Sequence, residues 1–334
     1  MKEAAILFAL CCLVCCLVGA VPDGETIPKF RRDAYSAESS SSQFCRAEGI
    51  YFKQLLAGRD FAKLSTARNS FEKQLFKFSA QMKNYVYLIG DLSNGETVVV
   101  DGCWDVRGIK RYARNDGMKI KHYVATHYHY DHIGGQVDQE PFKSQNIRLP
   151  GLQEFVLGLK KANREKRLNN DSIPALAKPY ISNIELEQAA KQTSVPKRFF
   201  IPLKDFSTID IGNAIRLTFR HTPGHSPGSM VILVSKTEAG DIPLFMVSGD
   251  TLFPGSCGRV DLPESNHVDM WDSLKKLKVS YNDDLLVFPG HGYSKPNTTI
   301  GEEKRIGLLG ITKSQWMSGR KKKVVDKINV YRKK

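Results

Sequence analysis

The chain has 334 residues, of which 41% are hydrophobic and 10% aromatic, a composition that argues against wholesale disorder and allows one large domain or two small ones. The formal net charge is +14, and residues 320–334 alone carry eight Lys or Arg and one Asp. No interleaving of Arg with aromatic residues indicates a nucleic-acid surface, so we expect no nucleic-acid partner. We interpret the basic end as a solvated terminus, with weak contact to membrane phospholipid as the alternative.

The amino terminus has the pattern of a targeting segment. Lys2 precedes an apolar run from Ala4 to Val18, and Val18-Gly19-Ala20 supplies small residues at a cleavage point before Val21. The run is shorter than the roughly 20 apolar residues that span a membrane. We expect a cleaved signal peptide over 1–20 and a secretory or secreted location. The alternatives are a membrane anchor, or a two-part organelle leader formed with the basic, Ser-rich residues that follow.

The rest of the chain divides by composition into a polar linker over 21–45, a folded domain over 46–312 and the basic tail over 313–334. Four of the seven cysteines belong to the leader, which leaves Cys45, Cys103 and Cys257. Three cysteines at wide spacing are not a disulfide framework. One pair with a leftover thiol and three thiols are both open, and we expect Cys257 to be a buried structural residue rather than a thiol near the site.

Predicted strands and helices alternate from Tyr85 onward. Two β-branched and aromatic runs, Tyr85–Asp91 and Thr97–Gly102, flank Asn94-Gly95, a pattern typical of a β-hairpin. The further predicted strands are 122–127, 215–234 (interrupted by a Gly/Pro loop), 243–253 and 284–292, and the predicted helices are 106–116, 152–167 and 270–277. The strands end in loops that carry His or Asp, which is how a β-scaffold covered by helices presents a site along one edge of its sheets.

Seven side chains in these loops are candidate metal ligands: His127, His129, Asp131, His132, His225, Asp250 and His291. Within residues 127–132, three imidazoles and a carboxylate would repel and desolvate one another unless a cation organised them. On an extended segment His127 and His129 project to the same side and can hold one ion, while Asp131 and His132 face a second. Gly134-Gly135 allows the backbone to turn away after the ligands, and by alternation Tyr128 and Tyr130 should point away from them.

The chemistry of the seven ligands indicates a borderline divalent cation. Imidazole and carboxylate ligands favour Zn²⁺, with Fe²⁺ or Mn²⁺ as alternatives, and a carboxylate such as Asp250 can bridge two ions. Two ions that share a water would lower its pKa towards neutrality and hold a hydroxide next to an electrophilic carbon. The other three histidines, His122, His221 and His267, are interpreted as structural residues, and His221 is expected to stabilise the loop before His225.

Four stretches together resemble the ordered motifs of the metallo-β-lactamase-fold hydrolases: "HYHYDH" at 127–132, "TPGHSPGS" at 222–229, "GDTLF" at 249–253 and "PGHG" at 289–292. The resemblance covers about Ile50 to Trp316 and implies an α/β fold, a four-layer αββα sandwich with a dinuclear site between the sheets. By motif it implies that His127, His129 and His225 bind the first ion and that Asp250 bridges. It places Asp131, His132 and His291 on the second ion and gives Asp131 a catalytic role.

The stretch "GDTLFPGSCGR" at 249–259 is most similar to the glyoxalase II-like branch, the hydroxyacylglutathione hydrolases. That branch implies a small-molecule thioester or related ester as substrate, with a metal-bridged hydroxide attacking the carbonyl and a thiolate leaving. Two segments, 52–62 and 298–305, resemble a bacterial-type subgroup of the branch. The chain departs from glyoxalase II in two respects: only a short tail follows His291, and Asp261 stands where an aromatic substrate contact is expected. Arg259 is a candidate for binding a substrate carboxylate, with an ordinary salt bridge as the alternative.

Two other classes of function fit the same residues. Persulfide dioxygenases have this fold and use a single iron, and Glu302-Glu303-Lys304-Arg305 is similar to a segment near their carboxyl end. A mononuclear-iron oxidoreductase is therefore the alternative to the hydrolase. A metal-binding or scaffolding protein that has lost catalysis is the third reading, and it is disfavoured because none of the seven ligand positions is substituted.

Overall fold

The computed structural model describes residues 45–137, 143–144, 146–170, 172–240 and 242–318. The predicted signal peptide, all but the last residue of the predicted linker and the strongly basic residues 319–334 lie outside these ranges. None of the described helices combines the length and the apolar character needed to cross a membrane.

Fourteen strands and nine α-helices are formed by the described residues. The strands are β1 Ile50–Leu56, β2 Tyr85–Asp91, β3 Glu96–Val100, β4 Lys119–Val124, β5 Gly135–Gln136, β6 Arg148–Leu149, β7 Lys178–Ser182, β8 Ile201–Leu203, β9 Thr208–Ile211, β10 Ile215–His221, β11 Met230–Lys236, β12 Phe245–Gly249, β13 Leu286–Pro289 and β14 Thr298–Thr299. The helices are α1 Ser70–Met82, α2 Val106–Asn115, α3 Tyr130–Ile133, α4 Leu152–Val156, α5 Lys161–Leu168, α6 Leu186–Thr193, α7 His267–Ser280, α8 Ile300–Arg305 and α9 Lys313–Met317.

The strands form two six-stranded sheets and a small two-stranded one. The first sheet has the order β1-β2-β3-β4-β7-β8, and the second has the order β14-β13-β12-β11-β10-β9. In the first, β3, β4, β7 and β8 run parallel, and in the second, β12 and β13 run parallel. Parallel neighbours end at the same edge of a sheet, so the loops after β3 and β4, and those after β12 and β13, are brought side by side.

A hydrophobic core fills the space between the two sheets. The rings of Phe52 and Phe288, one from each sheet, have centroids 4.8 Å apart, and Phe52 and Phe245 are 4.9 Å apart. Residues of β3 alternate between layers: Val98 and Val100 join this core, while Val99 packs on the outer face of the first sheet. This alternation follows from the two-residue period of a strand, and it explains why strands buried on both faces read as continuous apolar runs.

Helices cover the outer face of each sheet and complete four layers. Leu75 of α1 and Ile109 of α2 belong to the core cluster outside the first sheet. Met270 and Leu274 of α7 pack with Val231 of β11 outside the second sheet. The predicted αββα sandwich is therefore confirmed.

Several local predictions differ from the structure. The helix predicted over 152–167 is broken into α4 and α5 around Gly158, whose φ of +112° a right-handed helix cannot contain. Helix α1 was not predicted, although Asn69 caps it by accepting a hydrogen bond from the backbone N–H of Glu72. The predicted basic tail begins with α9, where Trp316 is buried and its Nε1–H donates to the carbonyl of His267 at 2.8 Å.

Candidate metal centre

The seven candidate ligands, which come from four loops, converge at one edge of the sandwich. His127 and His129 follow β4, Asp131 and His132 lie on α3, and the other three follow or join strands of the second sheet. Their donor atoms form three overlapping groups, within each of which the atoms lie within 4.8 Å of one another. The groups are His127–His129–His225, His127–His132–Asp250 and Asp131–His132–His291.

The backbone after β4 explains how six consecutive residues supply four of these side chains. The chain is extended at His129 and turns into the short helix α3, which carries the next two candidates. Gly134 and Gly135 then adopt φ values of +74° and +97°, and a Cβ at Gly135 would lie 2.0 Å from the carbonyl oxygen of Gln192. The predicted glycine turn is thus present, and any larger residue at Gly135 would meet backbone.

Donor atoms lie close together within both outer groups. His129 Nδ1 lies 3.0 Å from His225 Nε2. In the other group, His132 Nε2 lies 3.3 Å from His291 Nε2, which is 3.4 Å from Asp131 Oδ2. Imidazole nitrogens and carboxylate oxygens this close to one another are the arrangement expected around a cation.

Asp250 stands between the two groups. Its Oδ2 lies 3.4 Å from His225 Nε2 and 3.3 Å from His291 Nε2, and its Oδ1 lies 3.5 Å from His132 Nε2. One carboxylate therefore faces both sets of imidazoles, which fits the bridging position that the motif resemblance implied for it.

Hydrogen bonds from the opposite ring nitrogen orient four of the histidines. The Nδ1 atom lies 2.8 Å from the Arg259 carbonyl in His225 and 2.7 Å from the Met82 carbonyl in His291. In His132 the same atom is 2.9 Å from Asp101 Oδ2, and in His127 it is 3.0 Å from the Thr126 hydroxyl. Such partners fix the ring and leave Nε2 directed at the centre, as in metal-binding histidines generally.

Two buried atoms in the middle of the site lack a hydrogen-bond partner within the described residues: His127 Nε2 and Asp250 Oδ1. A buried polar atom left unpaired costs about 1–3 kcal/mol, so such atoms need a compensating ligand. A divalent cation would satisfy both, because imidazole nitrogen and carboxylate oxygen are ligands of Zn²⁺, Fe²⁺ and Mn²⁺. The residues present therefore fit the metal ions that the sequence indicates.

The protonation states suit cation binding. Burial and the neighbouring imidazoles hold the pKa of His127 well below its usual value, and the same causes lower the pKa of His129. Burial alone would raise the pKa of Asp250, but His291 and His132 hold it well below its usual value. At neutral pH His127 and His129 are neutral and Asp250 is ionised, which are the forms that bind metals. Neighbouring carboxylates raise the pKa of His132 and of His291, so these two imidazoles have to release a proton when they bind a cation.

Two residues that support the ligands were not predicted from the sequence. Asp101 has a left-handed φ of +54°, and its carboxylate accepts from the N–H and the hydroxyl of Thr126 as well as facing His132. Asn84 donates to Asp131 Oδ2 at 2.9 Å and accepts from Trp104 Nε1. Asp101 ends the predicted strand "TVVVD", so the rule that strands end in His or Asp could have found it. Asn84 follows the unpredicted helix α1 and has no such signal.

The histidines interpreted as structural lie away from the cluster. His122 Nε2 is 2.8 Å from Glu96 Oε1, and His221 Nε2 is 2.9 Å from the carbonyl of Pro227 in the loop before β11. His267 begins α7. The prediction that His221 stabilises its loop is confirmed.

A cleft of about 660 Å³ opens onto the ligands. Tyr128 and Tyr130 line it, so the prediction that both point away from the ligands is wrong. For Tyr130 the reason is that the alternation ends at His129, after which the chain is helical. The Tyr128 hydroxyl donates a hydrogen bond to the carboxylate of Glu264, which also lines the cleft.

The turn over 253–259 forms part of the cleft wall. Cys257 is half-buried on this wall, which corrects the expectation of a buried structural residue, whereas Cys45 and Cys103 are buried thiols. Arg259 also lines the cleft, and its Nε lies 3.0 Å from Asp261 Oδ1 in a largely exposed ion pair. The salt bridge that was the alternative for Arg259 is therefore present, and a surface pair of this kind is weak enough for a substrate anion to displace.

Comparisons with known proteins agree with this architecture. Residues 82–136 match the family model described as Metallo-beta-lactamase superfamily. A protein of Bacillus subtilis (strain 168) named "Probable polyketide biosynthesis zinc-dependent hydrolase PksB" is 27% identical over 212 residues, which cover 64% of this chain and 74% of that protein. Hydroxyacylglutathione hydrolase GloC of Haemophilus influenzae is 26% identical over 219 residues, covering 65% of this chain and 88% of that protein.

Two solved structures share the fold. A metallo-beta-lactamase from Staphylococcus aureus superposes with a TM-score of 0.53 at 24% identity, over 79% of this chain and 64% of that chain. ETHE1 from Myxococcus xanthus superposes with a TM-score of 0.50 at 22% identity, over 79% of this chain and 87% of that chain. At these identities the likeness concerns the fold, and the activity has to be argued from the site.

Proposed function

We propose that this chain, which has the metallo-β-lactamase fold, is a metal-dependent hydrolase that cleaves a thioester or related ester, similar to the hydroxyacylglutathione hydrolases. The observation that carries the proposal is the convergence of seven donor side chains around two buried atoms, His127 Nε2 and Asp250 Oδ1, that have no hydrogen-bond partner within the described residues. The relatives named as a zinc-dependent hydrolase and as a hydroxyacylglutathione hydrolase support the reaction class.

Each part of the site has a proposed role. One divalent ion would be held by His127, His129 and His225, and the second by Asp131, His132 and His291. Asp250 would bind both ions. We expect Zn²⁺, with Fe²⁺ or Mn²⁺ as alternatives. Two such ions, when bound, supply a water of lowered pKa and positive charge for a developing oxyanion.

Asp131 is the proposed catalytic carboxylate. Asn84 fixes it by donating to Oδ2 at 2.9 Å, and the neighbouring His132 and His291 hold its pKa below the usual value although burial alone would raise it. An ionised, oriented carboxylate can accept a proton from the attacking water. The cleft would admit the substrate, and Arg259 at its edge would bind a carboxylate of the thiol half.

A mononuclear-iron oxidoreductase similar to the persulfide dioxygenases is the second candidate. The likeness of the fold to ETHE1 gives this alternative weight. The four side chains it needs, His127, His129, His225 and Asp250, are also those of the first group and the bridge. Since both reactions draw on the same ligands, the distinction has to come from metal content and turnover.

Metal analysis of the purified protein combined with two assays tests the proposal. We expect about two divalent ions per chain and hydrolysis of S-lactoylglutathione or a simpler thioester, measured by release of the thiol. One iron per chain, oxygen uptake on glutathione persulfide and no thioester hydrolysis would overturn it in favour of the oxidoreductase. His129→Ala provides the control, because loss of a ligand should remove either activity together with bound metal.

We propose in addition that the protein enters the secretory route, on the grounds of the charged, apolar and small-residue pattern at its amino terminus. Amino-terminal sequencing of exported protein should begin near Val21. An intact Met1 recovered in a membrane fraction would instead support the anchor.

A further inference from the structure

The cleft has two chemically different sides. Next to His291 lies an apolar wall, which we define as Met82, Phe253 and Tyr293. The ring of Tyr293 stacks on that of His291 with centroids 4.7 Å apart and 7° between planes, and Phe253 meets Tyr293 edge-on at 6.0 Å. The wall therefore borders the second predicted metal subsite directly, within reach of a group attached to the carbonyl carbon.

The side of the cleft next to His129 carries hydrogen-bonding and charged groups beside the apolar Leu262 and Pro263. The ring of Tyr128 lies 4.9 Å from that of His129, and its hydroxyl donates a hydrogen bond to the carboxylate of Glu264. Arg259 forms an ion pair with Asp261. Arg259 and Glu264 are the charged side chains of the described cleft lining that are not predicted ligands. A substrate that spans the centre thus meets aromatic and thioether surface on the His291 side and hydrogen-bonding groups on the His129 side.

The apolar wall is held in place before any ligand arrives. Phe253 and Ser256 exchange two backbone hydrogen bonds of 2.8 and 3.0 Å, and the Ser294 hydroxyl donates to the carbonyl of Pro254 at 3.2 Å. Behind this turn the buried carboxylate of Glu303 accepts from the N–H of Gly255 at 3.0 Å. Since the wall is already ordered, an apolar group that binds to it loses little affinity to ordering of the protein.

Resting on the proposed thioester hydrolysis, we infer that the acyl half of the substrate is an apolar chain of several carbons, which lies against Met82, Phe253 and Tyr293. The more polar thiol half extends towards Tyr128 and Arg259. A two- or three-carbon hydroxyacyl group would leave the exposed 43% of Tyr293 in contact with water, whereas a longer chain covers it. Burial of each methylene is worth about a fourfold gain in binding.

Two series of compounds with N-acetylcysteamine as the thiol test the inference. The first contains the acetyl, lactoyl, butanoyl, hexanoyl and octanoyl thioesters, and kcat/KM is measured with metal-loaded protein. We expect a rise of about fourfold per methylene from acetyl to hexanoyl, and lactoyl below butanoyl. The second contains the S-(2-oxoalkyl) thioethers of the same lengths, which cannot be hydrolysed, and reports binding alone by calorimetry.

Matched variants locate the chain. Tyr293→Ser removes the ring and should flatten both length dependences, whereas Tyr293→Phe keeps an apolar ring and should preserve them. Phe253→Ala provides an independent test of the same wall, with circular-dichroism melting and metal content to verify its fold. Phe71→Ala, which removes a 41% exposed ring on α1 outside the cleft, is the control and should change neither slope.

Each outcome decides a separate point. Thioester hydrolysis with rates independent of chain length would overturn the inference and leave the proposed function standing. A length dependence that survives in folded Tyr293→Ser and Phe253→Ala would also overturn it, because the chain would then bind elsewhere. Length-dependent binding of the thioethers without hydrolysis of any thioester would support the wall and refute the proposed hydrolase.

Discussion

The seven candidate ligands, which together we call the cradle, adjoin the apolar wall of Met82, Phe253 and Tyr293, and the two regions differ in how they are built. The cradle consists of side chains that are almost all buried, and three of its imidazoles, those of His132, His225 and His291, are oriented by partners from distant parts of the chain. The apolar wall consists of the last residue of α1 and two loop residues, and its exposure ranges from 6% at Phe253 to 43% at Tyr293. The cradle determines what chemistry is available, and the wall determines which molecule undergoes it.

Each region also depends on one buried glutamate. Glu185, at the start of α6, accepts hydrogen bonds from the Ser226 hydroxyl and the Gly228 N–H and so holds the loop that carries His225. Glu303 holds the turn of the cleft wall through Gly255. Removal of a support should therefore disturb metal binding in the first case and substrate binding in the second.

The largest effect is expected from the carboxylate shared by both ligand groups. Asp250→Ala should abolish activity and reduce bound metal. The decrease in metal affinity should be well beyond the roughly 10- to 100-fold decrease that follows removal of a residue that only orients a ligand. Metal content by plasma emission spectroscopy and thioester turnover check this. Asp210→Ala, in an exposed pair with Arg216, serves as the control. Full activity in Asp250→Ala would refute the ligand assignment.

The next effect separates a ligand from its support. Asp101→Asn keeps the shape of the side chain but weakens its hold on His132 Nδ1, which lies 2.9 Å from Asp101 Oδ2. We expect metal affinity to fall by about 10- to 100-fold. Competition with a chromophoric chelator measures it, and excess metal should restore most of the activity. Unchanged affinity would show that Asp101 serves the backbone at Thr126 only.

Glu185 should make stability depend on pH. Burial raises the pKa of Glu185 to about 7, although Ser226 and Gly228 oppose the shift. Because the folded state holds this proton more tightly than the unfolded state, the stabilisation is complete below the unfolded pKa and is lost as pH rises towards 7. Between pH 5 and 8, the free energy of unfolding of Glu185→Gln should therefore fall by roughly 2 kcal/mol less than that of the unsubstituted protein. Denaturant unfolding at several pH values checks it, and an unchanged slope would contradict it.

The smallest effect is expected at the support of the wall. Glu303→Gln replaces one acceptor oxygen by an amide N–H that faces donors such as the N–H groups of Gly255 and Leu308. Loosening of the turn should raise KM severalfold for the longest acyl substrates, with kcat and metal content nearly unchanged. Glu302→Gln, at the neighbouring half-buried position that pairs with Lys295, is the control. A fall in kcat with constant KM would indicate that Glu303 acts on the cradle instead.

Much of the cradle was predictable because its signal is local. His127, His129, Asp131 and His132 lie within six residues, and charge repulsion and desolvation make such a cluster improbable without a cation. The strands were predictable for a similar reason, since β-branched runs such as "TVVVDG" bounded by turn residues have few alternative folds. Helix α1 was not predicted because polar residues interrupt its apolar stripe, and because a single capping residue, Asn69, is a weak signal for the start of a helix.

The cleft was not predictable from local patterns. Tyr130 was expected to face away from the ligands, but the chain becomes helical after His129 and the alternation ends there. Phe253 and Tyr293 are 40 residues apart in sequence and meet only because β12 and β13 lie side by side in the second sheet. Sequence spacing does not predict that these two loops are neighbours, because the order of the strands in the sheet brings them together.

By itself the sequence determined the donor set, the glycine turn behind it and the alternation of strands and helices, because each depends on residues close in the chain. Only the tertiary structure decided which carbonyls and carboxylates orient the imidazoles, and that Asp250 faces both ligand groups. It also decided that an apolar wall stands beside His291. These contacts join residues from separate strands and loops, and their free energy is available only after both sheets have packed.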